Sequence, residues 1–138
     1  MRSMICGFVV AGALLLMTTS AWAHHSHAAY DTTKVEVYEG VVTQIKWMNP
    51  HMFVAVDIPD ANGKVVNWGF EGGGATGMVA AGVSPKVLKV GNKVKIIGSP
   101  SRDANKHLAL FVGMEVDGKI ISRGLGTNVL GSIENGSK

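Results

Sequence analysis

Beyond position 6 the chain contains no cysteine. Once that single thiol is lost with a leader, neither disulfides nor thiolate chemistry are open to the protein. Charge of one sign is also scarce: 13 Lys/Arg face 10 Asp/Glu, a formal +3. The lysines are scattered from Lys34 to Lys119 without forming a block, so an isoelectric point near 9.1 gives no reason to expect a nucleic-acid partner. Long apolar runs are missing outside the start, and the run from Met4 to Met17 is short of the roughly 20 residues a membrane span requires. No Lys-Ser/Thr pair follows Gly72-Gly73-Gly74, so it is not a phosphate loop, and a flexible connection is the better account. Asp57, Asp60 and Glu71 fit no calcium-loop spacing. No Ser/His/Asp or Cys/His nucleophile set can be assembled, and the chain does not read as an enzyme.

What is present begins with the leader. Arg2, the apolar run, polar Thr18 to Ser20 and small Ala21 and Ala23 have the layout of a secretory signal peptide, residues 1–23. Cys6 lies at the start of the apolar run and lacks a lipoprotein-type cleavage box. Cleavage after Ala23 leaves 115 of the 138 residues, enough for one small domain, and removes Arg2, taking the formal charge to +2. The expected location is periplasmic or secreted, with no membrane contact after leader removal.

Residues 24–34 read as a polar, His-rich arm and 35–121 as the folded domain. Val41, Thr43, Ile45 and Trp47 alternate with Val42, Gln44 and Lys46, the period of a strand. Asn49-Pro50 ends it. A second strand places Met52, Val54, Val56 and Ile58 on one face and Phe53, Ala55 and Asp57 on the other. A turn at Asp60 to Gly63 returns the chain along Val65 to Glu71. A short helix over 75–81, a fourth strand over 93–98 and a fifth over 107–116 follow, with a brief Ile120-Ile121 extension. Residues 122–138, rich in Gly, Ser and Asn, read as a flexible tail. Mainly-β, with five strands and one short helix between strands 3 and 4, is the order of a small OB-like barrel.

The spacing of several motifs adds to this. His24-His25-Ser26 with Ala28-Ala29-Tyr30-Asp31, Trp47-Met48-Asn49-Pro50-His51, Asp60-Ala61-Asn62-Gly63-Lys64, and Leu88-Lys89-Val90-Gly91-Asn92-Lys93-Val94 follow one another along the chain. In these the chain resembles a family of small exported bacterial proteins catalogued as a domain of unknown function. The family usually carries an aromatic residue at the place of His27, and a longer, more charged segment than Ala75 to Val83. The resemblance implies export and fold rather than an activity.

Chemistry concentrates in the histidines. An N-terminal His24 offers its α-amine and ring Nδ1 to one metal, and His25 and His27 add imidazoles within a few residues. Imidazole suits Cu(II) and Zn(II), with Cu(II) the tightest divalent binder. Ser26 stands where the familiar amino-terminal copper motif has histidine. His51 follows the loop after strand one. It either closes the Asn-Pro turn through backbone or joins the arm as a ligand. His107 is a solvated strand end or a further ligand. Trp47, Trp68 and Phe70 at strand spacing read first as core, with a stacking platform as the alternative.

The candidate metal residues are therefore His24, His25, His27 and His51, for Cu(II) first and Zn(II) second. The rival reading is a binding or scaffold module whose OB face takes a protein or small-molecule partner, with the histidines incidental. A copper enzyme built on His24 is a third class with little in the sequence behind it. The expected mature terminus is His24. Intact-mass measurement of the exported protein checks this, and a start at Ala28 or later removes the arm's metal donors.

Overall fold

The structure, a computed structural model, describes residues 28–122. The expected leader over residues 1–23, His24, His25, His27 and residues 123–138 lie outside the described residues. Among the described residues six strands and one helix follow in chain order: β1 Glu36–Lys46, β2 Phe53–Pro59, β3 Val65–Glu71, α1 Ala75–Ala80, β4 Lys93–Pro100, β5 Leu108–Val116 and β6 Lys119–Ser122. The sheet order is β3-β2-β1-β4-β5-β6, and an added parallel pairing of β3 with β5 closes the first five strands into a barrel. This is the mainly-β, five-stranded barrel with a helix between strands 3 and 4 that the pattern predicts. The Ile120-Ile121 extension is a strand, β6, hairpinned onto β5 across the Asp117-Gly118 turn.

Alternation in β2 sorts the faces as expected. Val54 and Val56 are buried inside, with Met52 just ahead of them and Phe70 from β3 opposite. Leu88, Val83, Ile96, Met114 and Val42 complete the fully buried set. In α1 the buried residue is Met78, and Gly82 with positive φ ends that segment, so Val83 turns inward behind it. At the Asp60 turn the Asp60 carboxylate accepts the Asn62 and Lys64 N–H groups, and Gly63 supplies the positive φ.

β1 departs from the simple alternation. Its register to β2 slips between Val42 and Gln44, a bulge with Thr43 as the extra residue. One inserted residue exchanges the faces of everything beyond it. Tyr38 and Val42 are therefore buried before the bulge, and Ile45 and Trp47 pack on the core after it, while Val41 is exposed. Val41 and Ile45 do not share a face, because the period of two is broken between them.

The triglycine is not a slack linker. Gly72 N–H donates to the Met52 carbonyl (2.8 Å) and Met52 N–H to the Gly73 carbonyl (2.9 Å), which extends the β2–β3 ladder past β3. A Cβ at Gly74 would collide with the Asn49 side chain, so glycine lets this segment lie directly against the Asn49-Pro50 loop. The Asn49–Pro50 peptide bond is cis.

Phe70 is 1% exposed at the centre of this core. Phe70→Ala is expected to destabilise the domain by about 3–5 kcal/mol, and half-buried Trp68→Ala by less. Urea unfolding of residues 24–138 checks the order, and equal losses would contradict the assignment of Phe70 as the central residue.

Candidate functional site

The site is built around Glu71, the last residue of β3. Its neighbours alternate along the strand: Phe70 points into the core and Glu71 out of it. Glu71 is paired with Phe53 of β2 on one side and Leu110 of β5 on the other, so its backbone is fixed from both edges. The carboxylate is shared. Oε2 accepts the Tyr30 hydroxyl at 2.7 Å, and Oε1 lies 3.2 Å from Nδ1 of His51.

Tyr30 arrives from the arm. Asp31 N–H donates to the Pro100 carbonyl (2.8 Å), Arg102 N–H to the Ala29 carbonyl (2.9 Å), and Tyr30 bridges Ser101. These contacts fasten the arm to the outgoing end of β4. Tyr30 is 4% exposed, although it is the one large side chain in an otherwise polar stretch. Burial, and next the bond to Glu71, push its phenol above the ordinary tyrosine value. Just beyond, the Thr33 hydroxyl on Asp31 holds that carboxyl below its ordinary range and tightens a local turn.

His51 Nδ1 also lies 3.3 Å from the Gly72 carbonyl. Both of its partners are acceptors, so Nδ1 carries the proton and the neutral ring keeps its lone pair on Nε2. The His51 side chain is 43% exposed and that of Glu71 22%. Together with Lys46, Met48, Met52 and Phe53 they line a groove of about 330 Å³. A larger groove, about 460 Å³, runs beside Glu39, Asp57, Lys95 and Asp117. Three of its four lining carboxylates are engaged, Glu39 with Lys95 (3.2 Å), Asp57 with Asn67 (2.6 Å) and Asp117 with Asn92 (2.8 Å), and Glu115 is the fourth.

Comparison with known proteins fits this picture of an unassigned site. A family model described as "Family of unknown function (DUF6152)" matches residues 13–109. The chain belongs to that family. No curated protein matches it. Among solved structures, one it is similar to is a mitochondrial single-stranded DNA binding protein from S. cerevisiae, Rim1, at 6% identity and a TM-score of 0.47, covering 66% of this chain and 96% of that one. Another is a ZRD-deleted mutant of TiaS in complex with agmatine, at 15% identity and a TM-score of 0.44, where the match covers 70% of this chain and only 24% of that one.

For this member of the DUF6152 family, the residues singled out from sequence separate as follows. His51 sits in the groove, and its backbone contact through Gly72 coexists with an exposed ring edge. His107 lies elsewhere, its ring 5.2 Å from that of Trp68. Trp68 in turn packs at 4.7 Å on Tyr38, and Phe70 at 5.2 Å, so these aromatics form an inward cluster rather than an outward platform. Asp60 caps its own turn and Asp57 binds Asn67. Among the described residues, no three His, Cys, Asp or Glu side chains gather closely enough to hold a metal ion. No helix among them is long and apolar enough to cross a membrane. His24, His25 and His27 fall outside the described residues. Sequence reasoning missed Tyr30 as an anchor and Glu71 as its partner. The available signal was a lone aromatic in a polar arm.

Two tyrosines follow the same electrostatic logic, Tyr30 on Glu71 and Tyr38 on Glu36, each with burial as the first cause of a raised pKa. The native state keeps a phenolic proton that the unfolded chain loses, so this stability is complete below about pH 10 and is lost as pH rises. Each phenol is expected to contribute a fall of up to about 1.4 kcal/mol per pH unit above that point. Tyr30→Phe is expected to remove its share of the alkaline slope and to cost about 1–3 kcal/mol at neutral pH, by leaving one Glu71 oxygen without its donor. Denaturant midpoints measured from pH 7 to 11 check both.

Proposed function

We propose that this is an exported binding protein for a divalent metal, copper first and zinc second, with the mature N-terminal histidines and His51 as ligands. The observation that carries the reading is the setting of His51. A metal-binding histidine characteristically donates its other ring N–H to a carboxylate or a backbone carbonyl, which fixes the tautomer and raises ligand basicity. His51 has both partners on Nδ1, Glu71 and the Gly72 carbonyl, and its Nε2 is left for a ligand bond.

One imidazole is not a site, and the remaining donors must come from outside residues 28–122. The arm has the reach to supply them. Tyr30 and His51 bind the same carboxylate, and His27 and His24 precede Tyr30 by three and six residues. At about 3.3–3.6 Å per extended residue, those separations correspond to roughly 10 and 20 Å of chain. A chain anchored at Tyr30 would hold the three histidines within that reach of the anchor, which would raise their effective concentration for a site at His51. His24 would contribute amine and ring together, and the set would be closed by His25 or His27.

The test is metal titration of protein processed to His24, free of any histidine tag. Cu(II) affinity is expected to fall at least tenfold both when one extra residue precedes His24 and in His51→Ala. Glu71→Gln is expected to cost about 10–100-fold through loss of ring orientation. Loss in the extended protein alone would place the metal on the arm without the barrel, and no loss in either would overturn the proposal. Acidification is expected to release the metal, since imidazole coordinates only when neutral.

A further inference from the structure

We infer that Met48 supplies a thioether ligand to the same groove, so that the site takes a soft monovalent ion, copper(I), as well as divalent copper. This deepens the metal-binding reading and rests on it through His51. Residues 28–122 contain four methionines, and three of them, Met52, Met78 and Met114, are buried in the core at 1%, 6% and 1% exposure. Met48 alone is left out, at 50% exposure. Its apolar side chain gains little from core burial there, yet its backbone is held in place: the Met48 carbonyl accepts the N–H of Ala75, the first residue of α1, at 3.0 Å. The side chain lines the groove that His51 also lines, three residues further along the chain.

Donor chemistry points the same way. Thioether sulfur is a soft donor that selects Cu(I), whereas imidazole serves both oxidation states. With no thiol beyond Cys6, methionine is the source of soft donors for the described domain. The groove also carries compensating charge, the Lys46 ammonium against the Glu71 carboxylate.

Silver(I), a redox-inert stand-in for copper(I), is the probe, with Cu(II) titrated in parallel on the same processed protein. Met48→Leu keeps an apolar side chain of similar size at an exposed position, so the melting temperature is expected to stay unchanged. Ag(I) affinity is expected to fall at least tenfold in Met48→Leu while Cu(II) affinity stays within about twofold, and His51→Ala is expected to weaken both. In NMR spectra, Ag(I) is expected to shift the Met48 methyl resonance and leave those of Met52, Met78 and Met114 in place. Equal Ag(I) affinity in Met48→Leu and the parent, with Cu(II) still bound, would overturn the Met48 assignment and spare the divalent site. Binding of neither ion by the parent would overturn both.

Discussion

The whole arrangement depends on the closure of the barrel between β3 and β5. Three residue pairs make that seam: Gly69 with Leu108, Phe70 with Ala109, and Glu71 with Leu110. Parallel pairing at such a short seam contributes few hydrogen bonds, so the packing on its two faces must hold it. Inside, Phe70 lies against Tyr38 and the buried valines of β2. Outside, Gly69 leaves room for the Phe53 ring and the Leu108 side chain to meet across the strand, where any Cβ would collide with both. The third residue of the seam is Glu71. Closing the barrel and presenting the carboxylate are one event.

That carboxylate then organises what lies around it. A half-buried anion needs hydrogen-bond donors, because it has given up part of its hydration. It finds two from opposite directions, the Tyr30 hydroxyl from the arm and the His51 ring from the loop between β1 and β2. Each of these is secured by further backbone contacts, Tyr30 through Ser101 and its neighbours, His51 through Gly72. The arm and the first loop are separate stretches of the chain, and each brings one donor to Glu71. A shared anion is what joins them.

The grooves differ in the same physical terms. Beside Glu39, Asp57 and Asp117 the carboxylates are matched by lysine or amide partners, and acidic side chains outnumber lysines along that groove. Around His51 an imidazole and a thioether stand with one charge of each sign, Lys46 and Glu71.

Much of this architecture was legible in the sequence. Alternation in β2, the Asp60–Gly63 turn, the Pro50 break and the helix between strands 3 and 4 are local signals. Each depends on periodicity or on a backbone preference that the residue carries by itself. The resemblance to an uncharacterised family was legible as well, since it rests on motifs in order along the chain. The bulge at Thr43 was not, because register belongs to two strands and neither contains it alone. Nor was the triglycine's tight pairing with Met52, which exists only once β2 and β3 are side by side. His51 stood out as a candidate from its place after Asn49-Pro50, yet its ring orientation was set by Glu71, twenty residues on in sequence and adjacent only across the ladder. Tyr30 looked like an ordinary member of a polar arm. Burial is a property of what surrounds a side chain, and the carboxylate that makes its hydroxyl useful was placed by barrel closure alone.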